Sequence, residues 1–272
     1  SKGSGNGVSL FASTGRFAKN ATRVALDNLN NQGDISGSVR QISGNNSGYN
    51  SPHMMSGSEA TGSGNGISLY SDTFNAQIPR VETRLGNITN RGSIRGDAYL
   101  KAGDGSGDLS IEARASGNGI SVQYASGVGA DMNSGASLGD ITNGGVISGY
   151  SENYHGYARG YGRVSTLNSG AGIATDRKIT STITNSGIIS GNHAAILAKG
   201  RVDDSQSIRE PNLEPGYEPG SLKNYGLMAG SMIAGSYRAG VGNLLSREQN
   251  FDHFDSSAAA NDPLENYGSK IY

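Results

Sequence analysis

Residues 141–149 read ITNGGVISG. An asparagine and two adjacent glycines interrupt an apolar run that is otherwise suited to a β-strand. The phrase is not isolated. It returns as LNNQGDISG (29–37), ITNRGSIRG (88–96), ITNSGIISG (183–191) and LKNYGLMAG (222–230), and a truncated copy, LENYG, stands at 264–268. The common pattern is apolar-x-Asn-x-Gly-x-apolar-x-Gly. Self-similarity of this kind is the signature of a repeat architecture.

A second phrase alternates with the first. It reads SGNGVSL (4–10), SGNGISL (63–69), SGNGISV (116–122) and SGAGIAT (169–175), with weaker copies NHAAILA (192–198) and RAGVGNL (238–244). Val8 to Leu29, Ile67 to Ile88 and Ile120 to Ile141 are each 21 residues apart. The Asn-x-Gly pairs themselves recur less evenly, at 59, 53, 42, 39 and 42 residues. Fixed phrases at variable distance imply a constant frame carrying insertions of different length. The frame is nearly bare between Ile173 and Ile196, which are 23 residues apart and enclose Ile183. The insertions are expected as long loops near 38–62, 97–115, 150–168 and 201–221.

Each phrase alternates around its apolar positions as a strand with one buried face does. Glycine at this density would weaken any helix by roughly 1 kcal/mol per residue. Short strands joined by glycine corners fit better, with two strands expected per coil. A corner needs either positive φ or close backbone approach, and glycine supplies both. Gly33, Gly92, Gly145, Gly187, Gly226 and Gly268 are then expected as one column. Beside them Asn31, Asn90, Asn143, Asn185, Asn224 and Asn266 are expected as a ladder of stacked amides. The inward columns are Leu29, Ile88, Ile141, Ile183, Leu222 and Leu264, and Val8, Ile67, Ile120, Ile173 and Val241. A β-sandwich with coincidental glycine turns does not account for one Asn-Gly pair kept through six copies. Regular Ile and Val columns argue against a disordered low-complexity chain. The expected fold is all-β, one β-solenoid domain over 1–272 with about five to six coils.

Composition narrows the function classes. Glycine makes up 43 of 272 residues, about twice the roughly 7% that is usual. The 22 basic and 23 acidic side chains nearly cancel, which offers no electrostatic case for nucleic acid or for an anionic membrane. Cysteine is absent, which removes disulfides, thiolate metal sites and cysteine nucleophiles. No apolar run approaches the roughly 18 residues of a membrane helix. The chain does not begin with Met and both of its ends fall within repeated phrases. A piece of a longer protein, or a subunit that stacks head to tail, is the expectation.

The phrases ITNSGIISG and SGNGISL resemble the passenger domains of autotransporters and related type V secreted adhesins. The resemblance runs from about residue 4 to 268. It implies a right-handed parallel β-helix displayed on, or released from, Gram-negative cells. It carries an architecture and no particular activity. The insertions are longer than that resemblance leads one to expect, and neither a translocator barrel nor an autochaperone segment is evident.

The strongest candidate contact region is YSENYHGYARGYGR (150–163), with Tyr150, Tyr154, His155, Tyr157, Arg159, Tyr161 and Arg163. Tyrosine and arginine are frequent at interfaces. This insertion is expected either to bind a glycan, a protein or a neighbouring subunit, or merely to cover the flank of the coil. GDGSGDLSI (103–111) weakly resembles a calcium-binding nonapeptide through Asp104 and Asp108, but it occurs once, and a polar turn is the better reading. The histidines His53, His155, His193 and His253 sit in no nucleophile or metal motif, and no cofactor motif is present. The leading expectation is a non-enzymatic extracellular surface protein, an adhesin stalk or structural fibre. Its expected partners are further copies of itself or a surface protein or glycan of a host or neighbouring cell. The alternative is a polysaccharide lyase or hydrolase, to which Asp140 and Asp176 would be the available carboxylates.

Overall fold

The computed structural model describes residues 2–14, 22–44, 58–73, 81–103, 105–106, 111–126, 135–155, 158–159, 164–175, 181–198, 221–234, 237–239 and 249–250. Among them every regular element is a β-strand, and nearly all pair in parallel. The pairing follows the sequence repeat. Leu29 faces Ile88, Ile88 faces Ile141, Ile141 faces Ile183, and Ile183 faces Leu222. The second phrase does likewise, through Val8, Ile67, Ile120, Ile173, Ile196 and Met232. Ile67, Ile88, Ile120, Ile141, Ile173 and Ile183 are fully buried in one continuous core. Each such side chain contributes about 1.5–3 kcal/mol of transfer free energy.

One position of the second phrase falls elsewhere than expected. Met232, in the strand Leu227–Ala234, sits beside Ile196. Tyr237–Ala239, which leads into RAGVGNL, pairs antiparallel with Ala234–Met232. Gln249–Asn250 pairs antiparallel with Ser221–Leu222 in the same manner. Val241, Leu264, Asn266 and Gly268 lie outside the described residues.

The first three insertions are not simply loops. The strands Asp34–Ile42, Ser93–Ala102 and Val146–His155 run on past the end of the first phrase, and they pair with one another in register. The chain returns through Ser58–Ser63, Ile111–Ser116 and Val164–Ser169, which form a separate parallel sheet together with Lys2–Ser4. Between outgoing and returning strands lies a second small core of Ala98, Leu100, Ala102 and Ala115, flanked by Val39. The alternation that buries Ile94 therefore continues outward and buries Ala98, Leu100 and Ala102. Each of the first three repeats thus contributes an out-and-back pair as well as its share of the main body. The insertion near 201–221 lies outside the described residues, save for Ser221.

A glycine crossing separates the two cores. A Cβ on Gly96 would lie 2.0 Å from the Asn118 carbonyl oxygen, and one on Gly64 2.0 Å from that of Asp97. The backbone of the first phrase passes directly over the backbone of the second, and Asp97 N–H donates to Gly64 O at 2.7 Å. This explains why the last glycine of one phrase and the first of the other recur together.

The corner glycines have the same cause. A Cβ on Gly92, Gly145, Gly187 or Gly226 would lie 2.0–2.2 Å from the carbonyl oxygen of the corner glycine one repeat earlier. None of these glycines has φ in the left-handed range, so proximity and not φ demands them. Beside them run the amides. Nδ2 of Asn31, Asn90, Asn143 and Asn185 donates to Oδ1 of Asn90, Asn143, Asn185 and Asn224, at 2.8, 2.8, 2.7 and 2.7 Å. The same nitrogens donate to the carbonyls of Ser93, Val146, Ile188 and Leu227. Buried amides tolerate burial only when bonded in this way.

Two further rows of polar residues accompany this ladder. Oδ1 of Asn6, Asn65 and Asn118 accepts the backbone N–H of Asn65, Asn118 and Ala171, each at 2.9 Å, and a serine hydroxyl from the next repeat. On the outside, Asn28, Asn87 and Asp140 accept from the N–H of Asn87, Asp140 and Thr182.

Two substitutions separate close approach from general glycine preference. A Cβ on Gly33 would meet nothing within 4 Å. Gly145→Ala is expected to lower stability by about 3 kcal/mol, and Gly33→Ala by less than about 0.5 kcal/mol, both read as urea midpoints. Equal losses would overturn the close-approach account. Asn143→Ala removes one link from the amide on either side and leaves a buried gap in the ladder, and is expected to cost about 2 kcal/mol in the same assay.

Candidate binding face

Beyond the glycine crossing, the outgoing strands expose one face to solvent. In-register pairing turns sequence distance into proximity there. Ser38, Asp97 and Tyr150 form one row, Arg40, Tyr99 and Glu152 the next, and Ile42, Lys101 and Tyr154 the third. Tyr150 is 46% exposed and Tyr154 45%. The guanidinium carbon of Arg40 lies 5.3 Å from the centroid of the Tyr99 ring, within cation–π range. Tyr99 and Tyr154 are tilted by 49° with centroids 5.7 Å apart.

Glu152 holds this face together. The Tyr150 hydroxyl donates to its Oε2 at 3.1 Å, and the Tyr154 hydroxyl donates to its Oε1. One carboxylate thereby fixes two rings. The hydrogen bond to Glu152, reinforced by burial and by the charge of that carboxylate, pushes the Tyr154 phenol up to about 12. Tyr150's own hydrogen bond to Glu152, with the negative charges of Glu152 and Asp97, raises it above its ordinary value.

At the inner margin of this face lies an open groove of about 470 Å³. It is lined by Asp97, Tyr150 and Asn192, and by Arg95, which stands in the same row as the floor. The floor is made of small residues, Ser148, Ser190 and Ala229, with Gly149 and Gly191 between the rows. Asn192 is anchored from behind: its Oδ1 accepts the Ser151 N–H at 3.1 Å and its Nδ2 donates to the Ser151 carbonyl at 2.8 Å.

Of the contact residues expected from sequence, the structure brings Tyr150 and Tyr154 together through Glu152. His155 ends the strand Val146–His155, and Arg159 belongs to the short strand Ala158–Arg159, which pairs with Gly105–Ser106. Tyr157, Tyr161 and Arg163 lie outside the described residues, as do Asp104, Asp108, Asp176, His53 and His253. Asp140 spends its Oδ1 on the Thr182 N–H, within the outer polar row. Arg40, Arg95, Asp97, Tyr99 and Glu152 were not singled out by sequence. Aligning RGDAYLKA (95–102) under SGYSENYH (148–155) would have found all of them but Arg40, because the two segments carry polar or aromatic side chains at the same alternate positions.

Compared with protein-family models, curated proteins and solved structures, the chain matches none. Among the described residues no group of three or more His, Asp or Glu is placed to hold a metal ion, and no helix is long and apolar enough to cross a membrane.

The Glu152 clamp sets a pH dependence. Both phenols have folded values above the unfolded value of about 10. Their contribution to stability is therefore complete below about pH 10 and is lost as pH rises through the folded values. Ultraviolet titration of phenolate is expected to show the two late-ionising tyrosines, and Glu152→Gln is expected to bring both back toward the ordinary range. No change in Glu152→Gln would overturn the clamp.

Proposed function

We propose that the chain is a non-enzymatic extracellular surface protein, an adhesin stalk or structural fibre, built as a right-handed parallel β-helix. The observation that carries this reading is the unbroken amide ladder from Asn31 to Asn224. It runs through repeats separated by 59, 53, 42 and 39 residues without loss of register. Such a frame tolerates large changes in what hangs from it, which suits a spacer that carries contact surfaces. Low charge, the lack of cysteine and the resemblance to autotransporter passengers favour export and display at the surface of a Gram-negative cell.

Head-to-tail stacking belongs to the same reading. Among the described residues the strands of the first repeat are paired on one side alone. Leu29 and Val8 are only partly buried, whereas their counterparts Ile88 and Ile67 are at 1% and 0% exposure. Oδ1 of Asn31 accepts only the nearby Gly33 N–H among the described residues. A further repeat placed there would complete the ladder.

Three measurements test the proposal. Oriented gels of the purified chain are expected to give an axial reflection near 4.8 Å, the spacing of stacked strands. Antibody raised against the chain is expected to label intact source cells without permeabilisation. Absence of surface labelling would overturn the display reading. Sedimentation is expected to show concentration-dependent association, and a strictly monomeric chain at high concentration would remove the stacking element alone.

A further inference from the structure

We propose that the groove between Arg95 and Tyr150 binds a neutral oligosaccharide. The hollow exists because one row changes size along the repeats. Arg95 is followed at the equivalent positions by Ser148, Ser190 and Ala229. One tall side chain gives way to three small ones, while the adjacent row keeps Asp97, Tyr150 and Asn192. The resulting trough is lined by hydroxyls, an amide, a guanidinium and a carboxylate, with a single aromatic wall.

That combination selects among ligand classes. Arg95 and Asp97 stand two residues apart on one face and oppose each other in charge, so neither a polyanion nor a polycation gains net attraction. Under Ser148 and Ser190 the strands are paired on both sides, and Asn192 occupies the backbone N–H and carbonyl of Ser151, so the centre of the groove offers no free backbone edge to an added peptide strand. The floor of serine, alanine and glycine offers no deep apolar socket for a peptide side chain. A pyranose has what the groove lacks: an apolar ring face to lie on Tyr150, and hydroxyls that donate and accept at the rim. Tyr150 is suited to that contact, because Glu152 fixes its hydroxyl and the ring gives up little further freedom on binding. Asn192 keeps a second amide hydrogen after bonding Ser151, and its own position is already set. The groove is pre-formed on a paired sheet, which lowers the ordering penalty.

The inference goes beyond the structural role and does not depend on it. Purified chain is applied to a printed array of neutral and acidic oligosaccharides. The wild type is expected to retain neutral members of the array. Tyr150→Ala is expected to weaken retention at least tenfold, and Tyr150→Phe by less than threefold, since the ring face makes the contact. Ser190→Trp, which fills the trough from its floor and leaves Tyr150 in place, is expected to abolish retention. Unfolding midpoints of all three variants are expected to stay near that of the wild type. Binding of acidic oligosaccharides alone, binding of none, or undiminished binding by either Tyr150→Ala or Ser190→Trp overturns the proposal. These outcomes are independent of the axial reflection and of surface labelling, so failure here leaves the reading as a stalk or fibre where it stood.

Discussion

The structure depends on one contact, the approach of each corner glycine to the carbonyl of its counterpart one repeat earlier. At 2.0–2.2 Å from a hypothetical Cβ, that carbonyl admits no side chain at all. The approach brings successive asparagines into hydrogen-bonding range, which satisfies their buried amides. It also sets the register of the strands on either side, and with it the face each isoleucine presents. A slip of one residue would turn the Ile columns and the Asn amides outward together. Glycine and asparagine are therefore not decoration on an apolar frame. They decide which residues the frame can bury.

The same principle operates a second time where the two phrases cross. Gly96 over Asn118 and Gly64 against Asp97 bring two backbones together with nothing between them. On one side of the crossing lies the isoleucine-rich core, and on the other a thin layer of Ala98, Leu100, Ala102 and Ala115. A bulky residue at the crossing would push the outgoing strands away and open the second core to water. The exposed tyrosine face and the groove thus rest on these glycines, and Gly96 itself lines the groove.

The main columns were legible in the sequence because two strong signals coincide: Ile or Leu at fixed places, and Asn-x-Gly beside them. The out-and-back strands were not. Their inward positions are Val39, Ala98 and Ser151 in one row and Gln41, Leu100 and Asn153 in the next. Such rows are too weakly apolar to stand out as a periodic stripe, and their cohesion comes from backbone pairing with neighbouring repeats. Asn6, Asn65 and Asn118 were visible in every strong copy of SGNG. Their role needs the serine of the following repeat to be placed beside them, which sequence alone does not do. Glu152 is a single acidic residue between two tyrosines, and only parallel pairing reveals that Arg40 and Tyr99 lie alongside. For the corner glycines the sequence left two physical reasons open, and the structure selects proximity over left-handed φ.

The amide ladder has a direction. Backbone hydrogen bonds between repeats point both ways: Gly64 N–H donates forward to Ser116, while Ser93 N–H donates back to Gly33. Their dipoles largely cancel, as in any sheet. The asparagine side chains do not alternate, because every Nδ2 points toward the higher-numbered repeat. Aligned amides polarise one another, so each added member strengthens the chain of bonds already formed. The molecule consequently carries a small electrical axis through its interior, negative at the Asn31 end of the ladder.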